Sequence, residues 1–307
     1  MGSRKEVKFY TEAAPVTTVE ELEKYLLKLG DDWQFRAQST GDALTSTLER
    51  DCLRSGYDLK KDAPKIETEM IRQFTRVYDG IDTERVRKDK LYCLSLMRHY
   101  GAPTRLLDFT YSRYVAIYFA LEYAYKAREK EERSAAIWCI NVKGLYDQVK
   151  RENPTISRWI NRRIEDKGRD DDTFDRLYID NRYTFVCAEN PVQLHRRLHL
   201  QQGVFLCPGN IRESFEDNLF HPYEKPTRDI RKLIFKPKDL MGDFERYYRM
   251  NLTRESLFPG LDGFAQSMRY QMWLYVMLHD VREDWRNGES EEAMLSGPRK
   301  LDNMASL

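Results

Sequence analysis

Apolar residues recur every three or four positions over several stretches of this chain, and this period predicts amphipathic helices. The clearest stretch is 67–78, where Met70, Ile71, Phe74 and Val77 fall on one side. A run of charged residues over 150–180 predicts further helix together with an exposed loop. The other helices are predicted at 17–29, 44–50, 91–100, 113–128, 240–250 and 254–271, the last with a turn at 258–263.

A second pattern, with a period of two, predicts strands. Residues 33–38 alternate between large apolar and polar side chains, so they form a strand with two different faces. One face carries Trp33, Phe35 and Ala37, and the other carries Gln34, Arg36 and Gln38. Continuous or alternating apolar runs predict further strands at 135–142, 183–187, 203–207 and 232–236. This mixture of helices and strands predicts one α+β domain over 17–280, with helices first. An extension at 1–16 would precede the domain, and a charged, flexible tail at 281–307 would follow it.

Composition narrows the class of protein. The 307 residues include 51 basic and 50 acidic side chains, so the net charge of +1 gives no general attraction to nucleic acid or anionic membranes. The five cysteines are scattered without C-x-x-C spacing, which argues against a disulfide framework or a zinc knuckle. Neither a signal peptide nor an apolar run long enough to span a membrane is evident, so we expect a soluble cytoplasmic protein without a membrane partner.

The segment 99–110 gathers more polar chemistry than any other part of the chain. His99, Thr104, Arg105, Asp108 and Thr110 precede a strongly apolar helical pattern. A buried polar group without a partner costs free energy, so these side chains must be bonded to one another or to a ligand. Two interpretations stay open: a rigid elbow in which Arg105 pairs with Asp108, or the wall of a polar pocket beside a helix N-terminus that favours anions.

Two other segments carry candidate binding groups. Arg36 projects from a strand whose other face is apolar, so it could hold a phosphate bidentately or form a strand-edge salt bridge. Gln201 and Gln202 precede a strand at Gly203, where paired amides could read a ligand amide or simply begin the strand.

The remaining basic residues give a weaker signal. Arg98 and the run 195–199 form either a solvated helix face or a nucleic-acid patch. His195 and His199 are four residues apart, but no third ligand is evident, so we expect no metal. Phosphate-loop, dinucleotide-binding, metalloprotease and serine-hydrolase motifs are absent from the sequence.

The sequence resembles the FRG domain family in several short segments taken in order. Phe35–Gln38 resembles the Phe-Arg-Gly-Gln motif that names the family, and 99–120 resembles its central block. Arg197 with 201–205 resembles an Arg…Gln-Gln-Gly-x-Phe signature. The segments 44–50 and 256–265 are also similar, so the resemblance spans roughly 19–269. Ala37 stands where the family has Gly, and Phe109 and Arg113 stand where it usually has Trp and Pro.

A more distant resemblance is to ADP-ribosyltransferases of the Arg-Ser-Glu type. It implies a mixed or antiparallel sheet core in which Arg36 holds the pyrophosphate of NAD and Thr110 supports the nicotinamide ribose site. Gln201 or Gln202 would stand where the Glu binds a ribose hydroxyl. Since Gln is not a base, Asp108 or Glu189 would have to supply a carboxylate.

Together these features predict an enzyme that transfers ADP-ribose from NAD to RNA, DNA or protein, or that hydrolyses NAD. We expect it to act as a toxin or antiviral effector, with an antitoxin or regulatory protein as a further partner. The alternative is a non-catalytic module that binds a nucleotide or nucleic acid; a nuclease is disfavoured because no cluster of metal-binding carboxylates is apparent. The predicted catalytic residues are His99, Asp108, Thr110, Gln201 and Gln202, and the predicted NAD-binding residues are Arg36, Gln38, Tyr100, Thr104 and Arg105.

Overall fold

The computed structural model describes residues 10–12, 14–127, 133–165, 171–192, 194–270 and 272. It divides the chain into two compact units, 1–253 and 254–307. The predicted boundary near residue 280, and with it the tail at 281–307, lies outside the described residues.

The first unit is built on a seven-stranded mixed sheet. Its strands follow the order β1-β7-β4-β2-β3-β6-β5, and all neighbours are antiparallel except the parallel pair β1 and β7. The strands are β1 (Thr11–Glu12), β2 (Trp33–Ser39), β3 (Leu107–Thr110), β4 (Ala135–Asn141), β5 (Val186–Glu189), β6 (Gly203–Pro208) and β7 (Ile230–Phe235). The expected mixture of helices around a mixed sheet is confirmed.

Most helices lie where the apolar period predicts them. Those before β4 are α1 (Val19–Leu27), α2 (Thr47–Arg54), α3 (Leu59–Val77), α4 (Thr83–Lys88), α5 (Lys90–His99) and α6 (Arg113–Lys126). Those after it are α7 (Val142–Glu152), α8 (Pro154–Glu165), α9 (Asp171–Phe174), α10 (Arg196–Leu200), α11 (Phe215–Phe220), α12 (Leu240–Arg249) and α13 (Arg254–Leu257), with a π-helical turn at Asp175–Ile179. None of the described helices is long and apolar enough to cross a membrane.

Three parts of the sheet differ from the sequence prediction. Thr11 and Glu12, expected to belong to the extension at 1–16, form the edge strand β1. Residues 107–110, expected to belong to a polar turn, form β3 in the middle of the sheet. The strand expected at 183–187 begins only at Val186 and ends at Glu189. β3 has just four residues, so its apolar alternation is too short to stand out from the polar block around it.

The core lies against the central strands. Every residue of β4 except the last is buried, and α6 packs on β2 and β4 through a helix that is buried along most of its length. Ser112 caps α6, because its hydroxyl accepts the N–H of Val115 at 3.3 Å. α6 therefore starts directly after β3, which places the end of that strand at a fixed position beneath the helix.

The second unit is described only up to residue 272. It contains α13 and a second helical segment at 261–270. Arg254 donates from Nε to Gln266 Oε1 at 2.6 Å, and this bond joins the two segments across the predicted turn.

Candidate functional site

The three polar segments found in the sequence meet on neighbouring strands. Phe35 of β2 is paired with Thr110 of β3, and Thr110 is paired with Gly203 of β6. The strand with Arg36, the strand with Asp108 and the turn with Gln201 are therefore adjacent, although they are up to about 170 residues apart in sequence. Placing β3 between β2 and β6 is what assembles the site.

Arg36 lies where β2 and β3 separate. The described ladder between these strands has a single register pair, at Phe35 and Thr110. Next to this pair, the Arg36 side chain links the two strands, because its Nη1 donates to the main-chain oxygen of Asp108 at 2.8 Å. Its Nε is buried and has no partner among the described residues. Burial lowers the pKa of Arg36, and the nearby carboxylate of Asp108 opposes that shift. Arg36 thus combines a structural bond with one unused buried donor.

Asp108 is bound by a second arginine. Arg98, near the end of α5, donates from Nε to Asp108 Oδ2 at 2.9 Å and also from Nη2 to the same oxygen. Burial works to raise the pKa of Asp108, but Arg98 and then Arg36 outweigh it and hold the pKa at about 2. Asp108 is therefore a fixed negative charge near neutral pH and is a poor general base.

Four guanidinium groups lie around Asp108 and Arg36, and we call them the arginine cluster. They belong to Arg36, Arg50, Arg98 and Arg197. Arg50 and Arg98 lower the pKa of Arg36, and Arg197 acts on Asp108. Asp108 favours the charged forms of Arg36 and Arg98, and Asp51 also favours that of Arg98. Within this set of six side chains four are positive and two are negative, and such a set is suited to an anionic ligand.

A pair of imidazoles lies beside the cluster. The ring centroids of His99 and His195 are 4.6 Å apart. His195 Nδ1 accepts the N–H of Leu198 at 3.2 Å, so in the neutral ring the proton is on Nε2. Burial, followed by His99 and Arg197, lowers the pKa of His195 to about 4. The His99 Nδ1 atom is buried without a partner among the described residues, and burial with Arg197 lowers the pKa of His99.

Tyr100 provides an exposed aromatic ring next to this pair. Its side chain is 66% exposed, and its ring stands edge-on to His99 at 5.0 Å between centroids. An exposed aromatic ring is a surface on which a nucleobase can stack.

Thr110 and the two glutamines are connected mainly through the main chain. The Thr110 hydroxyl donates to the Gln201 carbonyl oxygen at 2.7 Å and accepts the Ser112 N–H at 2.9 Å. The Tyr111 N–H donates to the Gln202 carbonyl oxygen at 2.9 Å. Gln202 has a φ of 46°, in the left-handed region. The structure brings these residues together and shows that the Thr110 hydroxyl helps to hold β3 against β6.

Gln38 and Thr104 hold the loop before α2. Gln38 Nε2 donates to the Asp42 carbonyl oxygen at 2.7 Å. The Thr104 N–H donates to Thr47 Oγ1 at 3.0 Å, and Thr104 itself is fully buried. Since Thr47 Oγ1 also accepts from Arg98 Nη1 at 3.3 Å, this loop is linked directly to the arginine cluster.

Arg105 does not pair with Asp108 as the elbow interpretation expected. It is fully buried, and Nε donates to Glu67 Oε1 at 2.8 Å while Nη2 donates to the other carboxylate oxygen. Nη1 donates to the Tyr178 carbonyl oxygen at 2.6 Å. The geometry therefore places Arg105 in the core as a structural ion pair. The reason is tertiary: α3 brings Glu67 to it from 38 positions away.

The carboxylate of Glu189 is also occupied. It accepts from Arg163 Nε at 2.8 Å and from the Tyr178 hydroxyl at 2.7 Å. Among the described residues, no group of three or more histidines, cysteines or carboxylates could hold a metal ion.

Sequence reasoning missed the part that Arg50, Arg98 and His195 play in this geometry. Arg98 was assigned to a basic patch, although its position next to His99 was a signal that it ends the same helix. Arg50 ends the segment 44–50 that resembles the FRG family, which is a signal in the sequence, but only the fold shows that it lies near Arg36.

Comparison with known families supports one part of this picture. The family model of the FRG domain matches residues 31–129, about a third of the chain. The match covers β2, β3 and α2 to α6, and so includes Arg36, Arg98 and Asp108, whereas α10 and β6 lie outside it. No curated protein and no solved structure matches the chain. The resemblance to FRG domains is confirmed over residues 31–129.

Proposed function

We propose that the arginine cluster binds the pyrophosphate of NAD and that the protein is an enzyme of the ADP-ribosyltransferase type. The observation that carries this proposal is the gathering of four guanidinium groups around Asp108 and Arg36, together with the unused buried donor on Arg36. A pyrophosphate diester carries two negative charges and several acceptor oxygens, so it matches both features.

The chemistry follows from what surrounds the proposed ligand. Cleavage of the bond between nicotinamide and ribose builds positive charge on the ribose, as in glycoside hydrolysis. Asp108 remains ionised at neutral pH and can stabilise that charge electrostatically, although Arg98 occupies one of its two oxygens. Tyr100 offers a stacking surface for a base.

The ADP-ribose acceptor in this proposal is a macromolecule, with water as the competing acceptor. The exposed Arg196 lies on the same short helix as Arg197, so positive charge continues outward from the cluster. This arrangement favours an anionic acceptor such as RNA or DNA. With such an activity the protein would act as a toxin or antiviral effector, and an antitoxin would inhibit it.

A second candidate function is a nucleotide-binding module without turnover. The observation that favours it is the engagement of both candidate carboxylates: Asp108 is bound by Arg98, and Glu189 is bound by Arg163 and Tyr178. An enzyme that must deprotonate its acceptor would need a free base in this region.

The test measures binding and turnover separately. Labelled NAD is incubated with the protein and cellular RNA, DNA and protein, and nicotinamide release and label transfer are measured; binding is followed by calorimetry. Arg50→Met removes one positive charge without touching the Asp108 carboxylate, and we expect about a fivefold loss of affinity, near 1 kcal/mol. Arg72→Met is the matched control, because Arg72 is exposed and pairs with Glu69 on α3.

Each outcome decides between the candidates. Turnover that falls with Arg50→Met and is unchanged in Arg72→Met supports the enzyme. Saturable NAD binding without release or transfer supports the binding module and overturns the enzyme. No NAD binding, or equal affinity in both variants, overturns the assignment of the arginine cluster.

A further inference from the structure

The His99–His195 pair has no part in the function proposed so far, yet it borders the arginine cluster. His99 ends α5 directly after Arg98, and His195 precedes α10, which carries Arg197. The two rings are 4.6 Å apart between centroids and tilted by 45°. A ligand that reaches Arg98 and Arg197 would therefore lie near both imidazoles.

The charged groups that face the pair come from three elements. Arg197 on α10 disfavours protonation of both rings, and each ring would disfavour protonation of the other. Asp108 on β3 is the opposing group, because it favours the protonated form of His195. Since burial adds to the effect of Arg197, both rings are neutral at pH 7 in the free protein.

We propose that His99 belongs to the ligand site and that each diphosphate ligand bound at the arginine cluster brings a proton from solvent to this imidazole. This inference rests on the proposed function. The negative charge of the ligand offsets Arg197, so the charged imidazole becomes favourable and gains a hydrogen bond to a phosphate oxygen.

His99 is a better proton acceptor than its partner for a geometric reason. The lone pair of His195 Nδ1 is already used by the N–H of Leu198, so protonation there would break a bond that caps α10. His99 Nδ1 is buried and has no partner among the described residues, so protonation of this ring breaks no hydrogen bond at that atom. His195 stays neutral and keeps its proton on Nε2 as a positioning donor.

The experiment is calorimetry with ADP-ribose at pH 6.0 in two phosphate-free buffers of different protonation enthalpy. The pyrophosphate diester of ADP-ribose stays ionised in this range, so any proton taken up goes to the protein. We expect uptake of about half a proton or more per ligand, with affinity about threefold to fivefold higher at pH 5.5 than at pH 7.5.

Three variants localise the effect. His99→Asn is expected to bind ADP-ribose with proton uptake near zero. His195→Asn keeps an oxygen that can cap α10 and is expected to retain the uptake. The matched control His199→Asn changes an exposed residue on the same helix and is expected to behave as the wild type. Circular dichroism checks that each variant is folded.

The outcomes separate this inference from the function on which it rests. Binding of ADP-ribose without proton uptake, or uptake that persists in His99→Asn, overturns the role of His99 and leaves the arginine cluster standing. Absence of ADP-ribose binding at every pH overturns the diphosphate site itself, and the proton linkage with it.

Discussion

The buried ion pair between Arg105 and Glu67 makes a strong prediction about stability. The Arg105 side chain is fully buried. Its guanidinium donates to both oxygens of Glu67 and to the Tyr178 carbonyl oxygen. Glu67→Gln removes the compensating charge and leaves the guanidinium in the core. Breaking such a pair by removal of one partner costs about 3–5 kcal/mol, since the remaining charge has no solvent to screen it.

Urea unfolding followed by tryptophan fluorescence measures this loss. With an m-value near 3 kcal/mol/M, the midpoint of Glu67→Gln should fall by about 1 M or more. Glu69→Gln is the matched control: it lies on the same helix, but its pairing with Arg72 is exposed, so we expect no measurable shift. The double variant Glu67→Met with Arg105→Met should recover part of the loss, because no unpaired charge remains.

Two results would refute this reasoning. A midpoint for Glu67→Gln equal to that of Glu69→Gln would mean that the buried charge is not costly. If the double variant loses more free energy of unfolding than its two single variants lose together, then packing shape, and not charge, governs the site.

Three smaller predictions concern local geometry and are checked by the same unfolding measurement. Gly209→Ala should cost about 1–3 kcal/mol, because the new Cβ would lie 2.3 Å from the Phe185 ring, whereas Gly41→Ala meets nothing within 4 Å and should be nearly neutral. Ser112→Ala removes the cap of α6 and should cost about 1 kcal/mol. Burial raises the pKa of Glu49 to about 7, so the folded state holds a proton that the unfolded state has released. Stability should therefore decline by about 2–3 kcal/mol from pH 4.5 to 7, and Glu49→Gln should remove that decline.

Local patterns in the sequence predict much of this architecture. The period of two predicts a strand at 33–38, and the structure forms β2 there, although Gln34 and Gln38 are buried along with the apolar residues. The apolar run at 135–142 becomes the buried strand β4, and the helical period predicts α6. These elements are set by short-range repetition of residue type, which is visible without knowledge of the fold.

The pairings within the site could not be predicted in this way. Arg105 and Asp108 are three positions apart and of opposite charge, so a local pair was the simplest expectation. In the structure the two side chains have different partners. Asp108 accepts from Arg98 of α5, and Arg105 donates to Glu67 of α3. Each partner comes from a helix whose placement depends on the whole sheet, and no repeat in the sequence encodes that placement.

The same geometry limits the chemistry that this site can support. Within the block at 99–110, Thr104 and Arg105 hold the core, while His99 and Asp108 border the arginine cluster. Because the pKa of Asp108 is about 2, it cannot exchange a proton with an acceptor near neutral pH. An enzyme built here must then use Asp108 as a fixed charge and choose an acceptor that attacks without a base. If the reaction requires a base, a neutral imidazole of the His99–His195 pair would have to serve as that base. The rate would then follow the titration of His99.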